Sequence, residues 1–489
     1  MSVAKSSAPR LTLVLPFLAL GLAEVAFGQT DLLDSFNGTN GAEPFGTLVQ
    51  GTNGYLYGTA QVGGANSEGT IFKMTPGGVL TTVYNFCALT DCADGQQPLA
   101  GLVEATNGYL YGTTSGGSPS CTANCGTIFK ISLSGALTTL HTFCTLSSCP
   151  DGAFPTGTLV QASNGDLYGT TTYGGAHGSY GTIFKITPSG SFSSVYSFCA
   201  LAGCADGAVP YAGLIQTRSG VLYGTTYYGG ANGAGTAFKI TPSGTLTTLH
   251  SFCAETGCTD GQYPYGGLVL ATNGDFYGTT LVGGLSTCSA GSCGTVFKMT
   301  STGTATTIHK FCSLADCADG EYPYGGLVQA SNGYLYGTTG SGGSNQCGTI
   351  FKITPSGTLT ILSSLTAQGT CDNGGPFTGL TEATTGVFFG TTYSGGTNDY
   401  GTVFSMSTGL APFVETRPTI GTVGEAVTIV GYQLTDTTSV MFNGVAASFT
   451  VVSATEISTK VPAGATSGTV QVVTSTHTLP SNVAFTVSP

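Results

Sequence analysis

Residues Gly326 to Leu365 read GLVQASNGYLYGTTGSGGSNQCGTIFKITPSGTLTILSSL, and nearly all of the chain between residues 30 and 413 is this stretch repeated. An LYG-like triplet marks each copy, with its aromatic at Tyr57, Tyr111, Tyr168, Tyr223, Tyr277, Tyr336 and Phe389, so successive spacings are 54, 57, 55, 54, 59 and 53 residues. Seven copies at a period near 55 are the mark of a repeat architecture. Each copy holds four short runs, GLVQA, YLYGTT, GTIFKI and TLTILSSL, rich in the aromatic and β-branched residues that suit a pleated surface. Asn-Gly joins the first two (Asn53-Gly54, Asn107-Gly108, Asn164-Gly165, Asn273-Gly274, Asn332-Gly333), and its tolerance of positive φ predicts a type I′ turn. Pro-Ser-Gly or a relative joins the third and fourth as a tight reversal (Pro188-Ser189-Gly190, Pro242-Ser243-Gly244, Pro355-Ser356-Gly357). Each copy is therefore a four-stranded antiparallel meander.

Seven similar sheets cover their two faces best by stacking face to face around an axis. The expected fold is all-β: a seven-bladed β-propeller of four-stranded antiparallel blades over residues 29–413, followed by a small β-sandwich over 414–489. A β-solenoid is the competing architecture, but its coils are shorter and need no pair of hairpin turns in every 55 residues.

Only 7% of the 489 residues are charged and 77 are Gly, which fits a turn-dense β protein with a surface of Thr, Ser, Asn and Tyr. The net charge of −12, with no basic run to neutralise phosphates, excludes a nucleic-acid partner. Disorder is excluded as well, because 40% of residues are hydrophobic and alternate regularly. Residues 1–28 carry Lys5 and Arg10, the apolar run Leu11 to Leu22, and Ala26-Phe27-Gly28 as a small-residue cleavage site, the pattern of a secretory signal peptide cut near Gly28. The run is short for a membrane span and ends at Glu24, so an uncleaved anchor is the weaker reading. With no second apolar stretch of membrane length, the mature chain is expected to carry no transmembrane segment and to reside outside the cell or at its surface.

Sixteen cysteines agree with export. Five pairs share the spacing C-x4-C (Cys87/Cys92, Cys144/Cys149, Cys199/Cys204, Cys253/Cys258, Cys312/Cys317) and two more are close neighbours (Cys121/Cys125, Cys288/Cys293), which leaves Cys347 and Cys371 as partners. Zinc would require two pairs to converge on one ion, whereas equivalent pairs sit one blade apart with no His recurring beside them, so disulfides and no metal are expected.

The segment Leu32-Leu33-Asp34-Ser35-Phe36 matches the fourth strand of a repeat without its first three. It can close the ring by completing the seventh blade, although Leu410 to Phe413 compete for that edge. Strand order puts the Asn-Gly and Pro-Ser-Gly turns on one face of the ring and all the cysteine-bearing loops on the other. Function usually sits on elaborated loops held by a rigid scaffold. After Arg417-Pro418 the repeat gives way to short alternating strands at sandwich-like spacing.

The repeats, with LYGTTxxGG, GTIFKITPSG and the trailing LxSF strand, resemble the GloVer tandem repeats of secreted bacterial proteins, which implies a propeller-like array over about 380 residues. Residues 414–489, through Gly421, Gly431, Phe442-Asn443-Gly444, Val461-Pro462 and Gly468, resemble an IPT/TIG domain, which implies an immunoglobulin-like spacer or interaction module.

Candidates for chemistry can be compared between copies. Lysine recurs at one third-strand position (Lys73, Lys130, Lys185, Lys239, Lys298, Lys352) and reads as a stem laid over apolar neighbours rather than an anion site. Asp-Gly recurs at Asp94, Asp151, Asp206, Asp260 and Asp319 without the closely spaced oxygens that calcium needs, so a turn-forming Asp is expected. His141, His250 and His309 occupy a position held elsewhere by Tyr84, Tyr196, Asp34 and Ser363, an interchange no catalytic base would tolerate. There is no nucleophile elbow, zinc-protease motif or phosphate-binding Gly loop, and no cofactor or catalytic residue is assigned.

Aromatics make the functional case. After the recurrent Pro of each inter-blade loop come Phe45, Leu99, Thr156, Tyr211, Tyr265, Tyr324 and Phe377, near the channel mouth, and neighbouring loops add Tyr173, Tyr180, Tyr227, Tyr228, Tyr393 and Tyr400. Exposed Tyr suits sugar rings or a protein partner, and the alternative is that these rings pack between blades. Two functions remain open on this reading. One is a monomeric, secreted binding or adhesion protein that meets a glycan or a cell-surface protein through Phe45, Tyr211, Tyr265, Tyr324, Phe377, Tyr173, Tyr227, Tyr228 and Tyr393. The other is an extracellular carbohydrate-active hydrolase or lyase with carboxylates over the channel.

Overall fold

The computed structural model describes residues 30–117, 125–285, 293–366 and 375–488, and the expected signal peptide lies outside them. Seven antiparallel sheets follow one another along the chain, each ordered from a two-residue innermost strand outward, as in Ile215–Gln216, Leu222–Thr226, Thr236–Ile240 and Leu246–Ser251. They are the blades of a seven-bladed propeller. The third and fourth strands of every blade share one register shift, between Ile183 and Phe184 in the third blade, and between Leu32 and Asp34 in the seventh.

The repeat builds this fold because alternation gives each blade two different apolar faces. At the first seam, Tyr57, Ile71 and Phe86 of one blade pack on Leu102, Leu110, Phe129 and Ile131 of the next, all buried. The glycine of the LYG triplet makes room on the blade's other face, in the seam with the seventh blade: a Cβ on Gly58 would sit 2.5 Å from the Phe72 ring and 2.6 Å from Leu48. The buried tyrosine hydroxyl is satisfied by the Asn of the nearby turn, at 2.9 Å from Asn53 Nδ2 to Tyr57 and 2.8 Å from Asn107 to Tyr111.

The turn itself differs from the expected type I′, and takes the same form at Ser219-Gly220, where no Asn is present. Of each Asn-Gly pair only the glycine takes positive φ (81° at Gly54, 78° at Gly108), and the bonds Ala105 N–H to Tyr109 O and Gly108 N–H to Ala105 O define a three-residue loop closed by a left-handed Gly. The Pro-Ser-Gly turns have the same form, with Gly190 at φ 100°.

The N-terminal strand Thr30–Ser35 closes the ring by pairing antiparallel with Thr402–Ser407, Leu32 opposite Phe404. Residues Leu410 to Phe413 do not take that edge. They run beneath the seventh blade, where Phe413 N–H bonds Thr384 O at 3.0 Å and a Cβ on Gly386 would meet Leu410 O.

The C-terminal part is a sandwich of two four-stranded sheets, one built on Ala426–Val430 and Glu456–Lys460 and the other on Thr437–Phe442 and Val470–Thr474, around Ile429, Leu434, Val440, Phe442, Ile457 and Val472. It docks on the turn face of the propeller. Thr455 donates to Thr52 O in the first blade, and Arg417 bonds Gln50 O and Glu104 in the first and second. Arg218 of the fourth blade reaches Ala484 O. The loops on the opposite face stay clear of it in these contacts.

Five C-x4-C pairs are disulfides: Cys87–Cys92, Cys144–Cys149, Cys199–Cys204, Cys253–Cys258 and Cys312–Cys317. Cys125, Cys293 and Cys347 are disulfide-bonded too, and the partners expected for them, Cys121, Cys288 and Cys371, lie outside the described residues. No helix among the described residues is long and apolar enough to cross a membrane.

Candidate functional site

Three recurrent polar features turn out to be scaffold. The Asp of each Asp-Gly caps its disulfide loop: Asp94 accepts from Ala88 N–H at 2.9 Å, Leu89 N–H at 3.0 Å and the Tyr84 hydroxyl at 2.8 Å. Where the fourth strand carries His instead, the ring nitrogen takes the same place, with His309 Nε2 3.2 Å from Asp319 and His141 Nε2 3.0 Å from Asp151. Tyr and His interchange because both reach one carboxylate, His250 Nε2 standing 3.4 Å from Asp260 without a hydrogen bond. The lysines pair with the residue after each Asn-Gly turn, lying 5.1 Å over the Tyr55 ring at Lys73, 5.4 Å over Tyr109 at Lys130, and 2.8 Å from Asp275 at Lys298. They are spread over separate blades and form no common anion site.

The residues after the recurrent Pro do converge. Phe45, Leu99, Thr156, Tyr211, Tyr265, Tyr324 and Phe377, one from each blade, line a cavity of about 320 Å3 at the axis on the loop face. Five are aromatic, they are consecutive around the ring, and each touches the next. Centroids lie 4.9 Å apart for Tyr211 and Tyr265 (stacked), 5.6 Å for Tyr265 and Tyr324 (edge-on), 4.5 Å for Tyr324 and Phe377 (edge-on), and 6.1 Å for Phe377 and Phe45 (stacked). Leu99 and Thr156 interrupt the arc. These rings are half-buried and pack on one another around the mouth, not in the seams, which the LYG aromatics fill.

A second tier backs the arc. Tyr227 meets Tyr211 edge-on at 5.2 Å, and Tyr393 meets Phe377 edge-on at 5.2 Å while giving its hydroxyl to Glu43 at 2.7 Å. Tyr173 and Tyr228 stand further out, 36% and 45% exposed, together with Tyr180 and Tyr400 at the rim. The nine ligand-binding candidates thus fall on one face.

The residue before the recurrent Pro carries a feature not anticipated. Glu43, Gln97, Phe154, Val209, Tyr263 and Tyr322 are all left-handed, with φ from 54° to 59°, which is unfavourable for any side chain and most so for the β-branched Val209. The backbone is clamped there from both sides: Tyr263 N–H bonds Ala234 O of the preceding blade at 2.8 Å, and Tyr263 O accepts from Leu281 N–H of its own blade at 3.0 Å. The clamp turns Tyr263 and Tyr322 onto the aromatic surface, 4.9 Å from Tyr227 and 6.3 Å from Tyr324. The Tyr-Pro-Tyr triplets at 263–265 and 322–324 were the available signal.

The chemistry of the mouth is neutral. No Asp, Glu, His, Lys or Arg lines the cavity among the described residues. Burial, then neighbouring phenols, raise the hydroxyl pKa values of Tyr211, Tyr265 and Tyr324 above the ordinary value, and push Tyr227 up to about 12. Tyr393 is likewise pushed up to about 12, by burial and then by its bond to Glu43. The phenols are therefore uncharged hydrogen-bonding groups at neutral pH, and none is placed to act as a phenolate base.

The Gloeobacter/Verrucomicrobia repeat matches residues 23–217 and again 200–404, and the IPT/TIG domain matches 414–487. No curated protein matches the sequence. Among solved structures, the chain is similar to the periplasmic gluconolactonase of Pseudomonas aeruginosa at 14% identity, over 66% of this chain and 85% of that one, with a TM-score of 0.43. It is also similar to the α-L-arabinanase of Penicillium chrysogenum complexed with arabinobiose, at 14% identity, 63% and 92% coverage and a TM-score of 0.40. A polysaccharide lyase, an ulvan lyase, is similar at 12% identity, 76% and 96% coverage and a TM-score of 0.47.

Proposed function

This chain belongs to the Gloeobacter/Verrucomicrobia repeat family and ends in an IPT/TIG domain, and from that premise we propose that it is a secreted, monomeric binding protein whose propeller mouth takes a neutral glycan. The signal-like segment at 1–28, the disulfide-stapled loops and the division into a propeller over 29–413 and a sandwich over 414–489 belong to the same reading.

The observation that carries it is the arc of five touching aromatics around an uncharged axial cavity. Aromatic faces stack on the apolar faces of sugar rings, and phenol hydroxyls with exposed backbone groups bond sugar hydroxyls. Docking of the sandwich on the turn face supports the choice of the loop face for ligand. The rival, a carbohydrate-active enzyme, would need as a glycoside hydrolase two carboxyls within about 10 Å of each other in one pocket. The lining offers none among the described residues, and the adjacent Glu43 is held by Tyr393.

The test is a glycan array probed at low and high salt. The proposal predicts neutral hits whose strength hardly changes with salt, because no ion pair is there to be screened. Absence of hits, or hits confined to charged glycans and lost at high salt, refutes it.

A further inference from the structure

We propose that the tyrosines running outward over the fourth and fifth blades form a second subsite continuous with the mouth, so that the ligand is a multi-unit stretch of neutral polysaccharide. This rests on the glycan reading above and specifies the form of its ligand.

Tyr227 is the link. Its ring lies 5.2 Å from Tyr211 and 6.2 Å from Tyr265 on the side of the mouth, and on the outer side it stacks on Tyr263 at 4.9 Å and 17° and meets Tyr228 at 4.6 Å. Tyr228 and Tyr263 touch as well, at 5.5 Å, and Tyr228 is 45% exposed. A continuous aromatic strip therefore leads from the axis toward the rim. Its members stand on fixed backbone: Tyr263 is clamped between two blades, and Tyr228 exchanges both backbone bonds with Ala208 at 2.9 and 3.0 Å. Rings held this way lose little freedom on binding, which favours affinity.

The cavity itself, about 320 Å3, is at the small end of the range for ligand pockets, roughly 300–1,000 Å3. It accommodates the end of a sugar chain, and the remainder must lie on the surface outside. Over the seventh and first blades the second-tier ring Tyr393 has its hydroxyl committed to Glu43, and among the described residues no further ring contacts it on its outer side. Leu99 and Thr156 interrupt the arc at the second and third blades. Beside Tyr211, Tyr173 and Phe154 lie 5.7 Å apart in a shorter run over the third blade, and among the described residues the strip over the fourth and fifth blades is the longer of the two.

The experiment is calorimetric titration of the full chain with cello-, xylo-, manno- and malto-oligosaccharides, each from disaccharide to hexasaccharide. In the series that binds, affinity is expected to rise with length by about ten-fold or more, the equivalent of roughly one aromatic contact. Tyr228→Ala with Tyr263→Ala is expected to abolish the rise, read as the ratio of hexasaccharide to disaccharide affinity within each protein. Tyr228→Ala alone, at an exposed ring, gives a partial loss and serves if the double variant misfolds. A wild-type affinity independent of length, or variants that keep the full rise, overturn the strip while the mouth stands; length independence is also what a protein-binding strip would give. If no series binds at any length, the glycan reading falls and the strip with it.

Discussion

Arg417 and Glu104 join the sandwich to the propeller: the guanidinium donates to the carboxylate, and also to Gln50 O at 2.7 Å and Glu415 at 3.0 Å. The second blade's Glu104, almost wholly buried, is already held by the first blade's Thr52 through its N–H and hydroxyl, both at 2.8 Å. One pair thus ties two blades and the sandwich at a single point.

Removing one partner should leave the other charge buried and unpaired. Arg417→Ala is expected to destabilise the protein by about 2–4 kcal/mol, while Arg417→Met combined with Glu104→Gln, which keeps an oxygen for Thr52, should lose less than the single variant. Thermal unfolding of the wild type and the two variants checks this, and a double variant that loses as much as Arg417→Ala, or more, contradicts it.

Asp319 gives an acid-limb prediction. Burial alone would raise its pKa, but hydrogen bonds from His309, the Ser313 hydroxyl and the Leu314 and Ser313 N–H groups together hold the carboxyl below the ordinary value. A folded pKa below the unfolded one, about 3.9, means stability that is present above that value and is lost as pH falls through the folded pKa. Asp319→Asn should cost about 1–3 kcal/mol at neutral pH, and the gap to wild type should narrow below about pH 4. A gap that is constant from neutral to acid pH counts against it.

The phenols of the mouth predict a flat binding profile. Their pKa values are raised, to about 12 at Tyr227 and Tyr393, and no carboxylate among the described residues lines the cavity. Glycan affinity should therefore not change across the pH range in which ordinary carboxylates and histidines titrate. A bell-shaped dependence there would point to an acid–base pair and to the enzyme reading.

Peptide mapping without reduction checks the remaining cysteines. The expected linkages are Cys121 to Cys125, Cys288 to Cys293 and Cys347 to Cys371, because Cys347 stands at the position of Cys125 and Cys293 before a Gly-Thr, and Cys371 at that of the second Cys in the C-x4-C loops. Cys347 linked to any other residue contradicts the pairing.

Much of this molecule is legible in one repeat. The period, the two reversals and the four runs lead to the blades, the orphan strand at Leu32 to Ser35 leads to the closure, and the position after each Pro leads to the cavity wall. What stayed hidden depends on conformation rather than residue type. Asn-Gly reads as a type I′ pair, whereas only its glycine is left-handed in the three-residue loop that forms. Tyr263 and Tyr322 read as ordinary pre-proline residues, since nothing local announces a left-handed backbone imposed by bonds from two blades. The docking of the sandwich on the turn face depends on Arg417 meeting Glu104 across 313 residues, a pairing that no local pattern encodes.

The central claim is that the aromatic mouth is a glycan site, and replacing its two touching rings tests it most directly. Tyr265 and Tyr324 meet edge to face at 5.6 Å, with planes at 90°, and both line the cavity without filling a blade seam. Tyr265→Ala together with Tyr324→Ala, confirmed folded by an unchanged far-ultraviolet dichroism spectrum, should weaken binding to the glycans found on the array by about ten-fold or more. Hits of undiminished affinity in that double variant would place the site elsewhere and contradict the account.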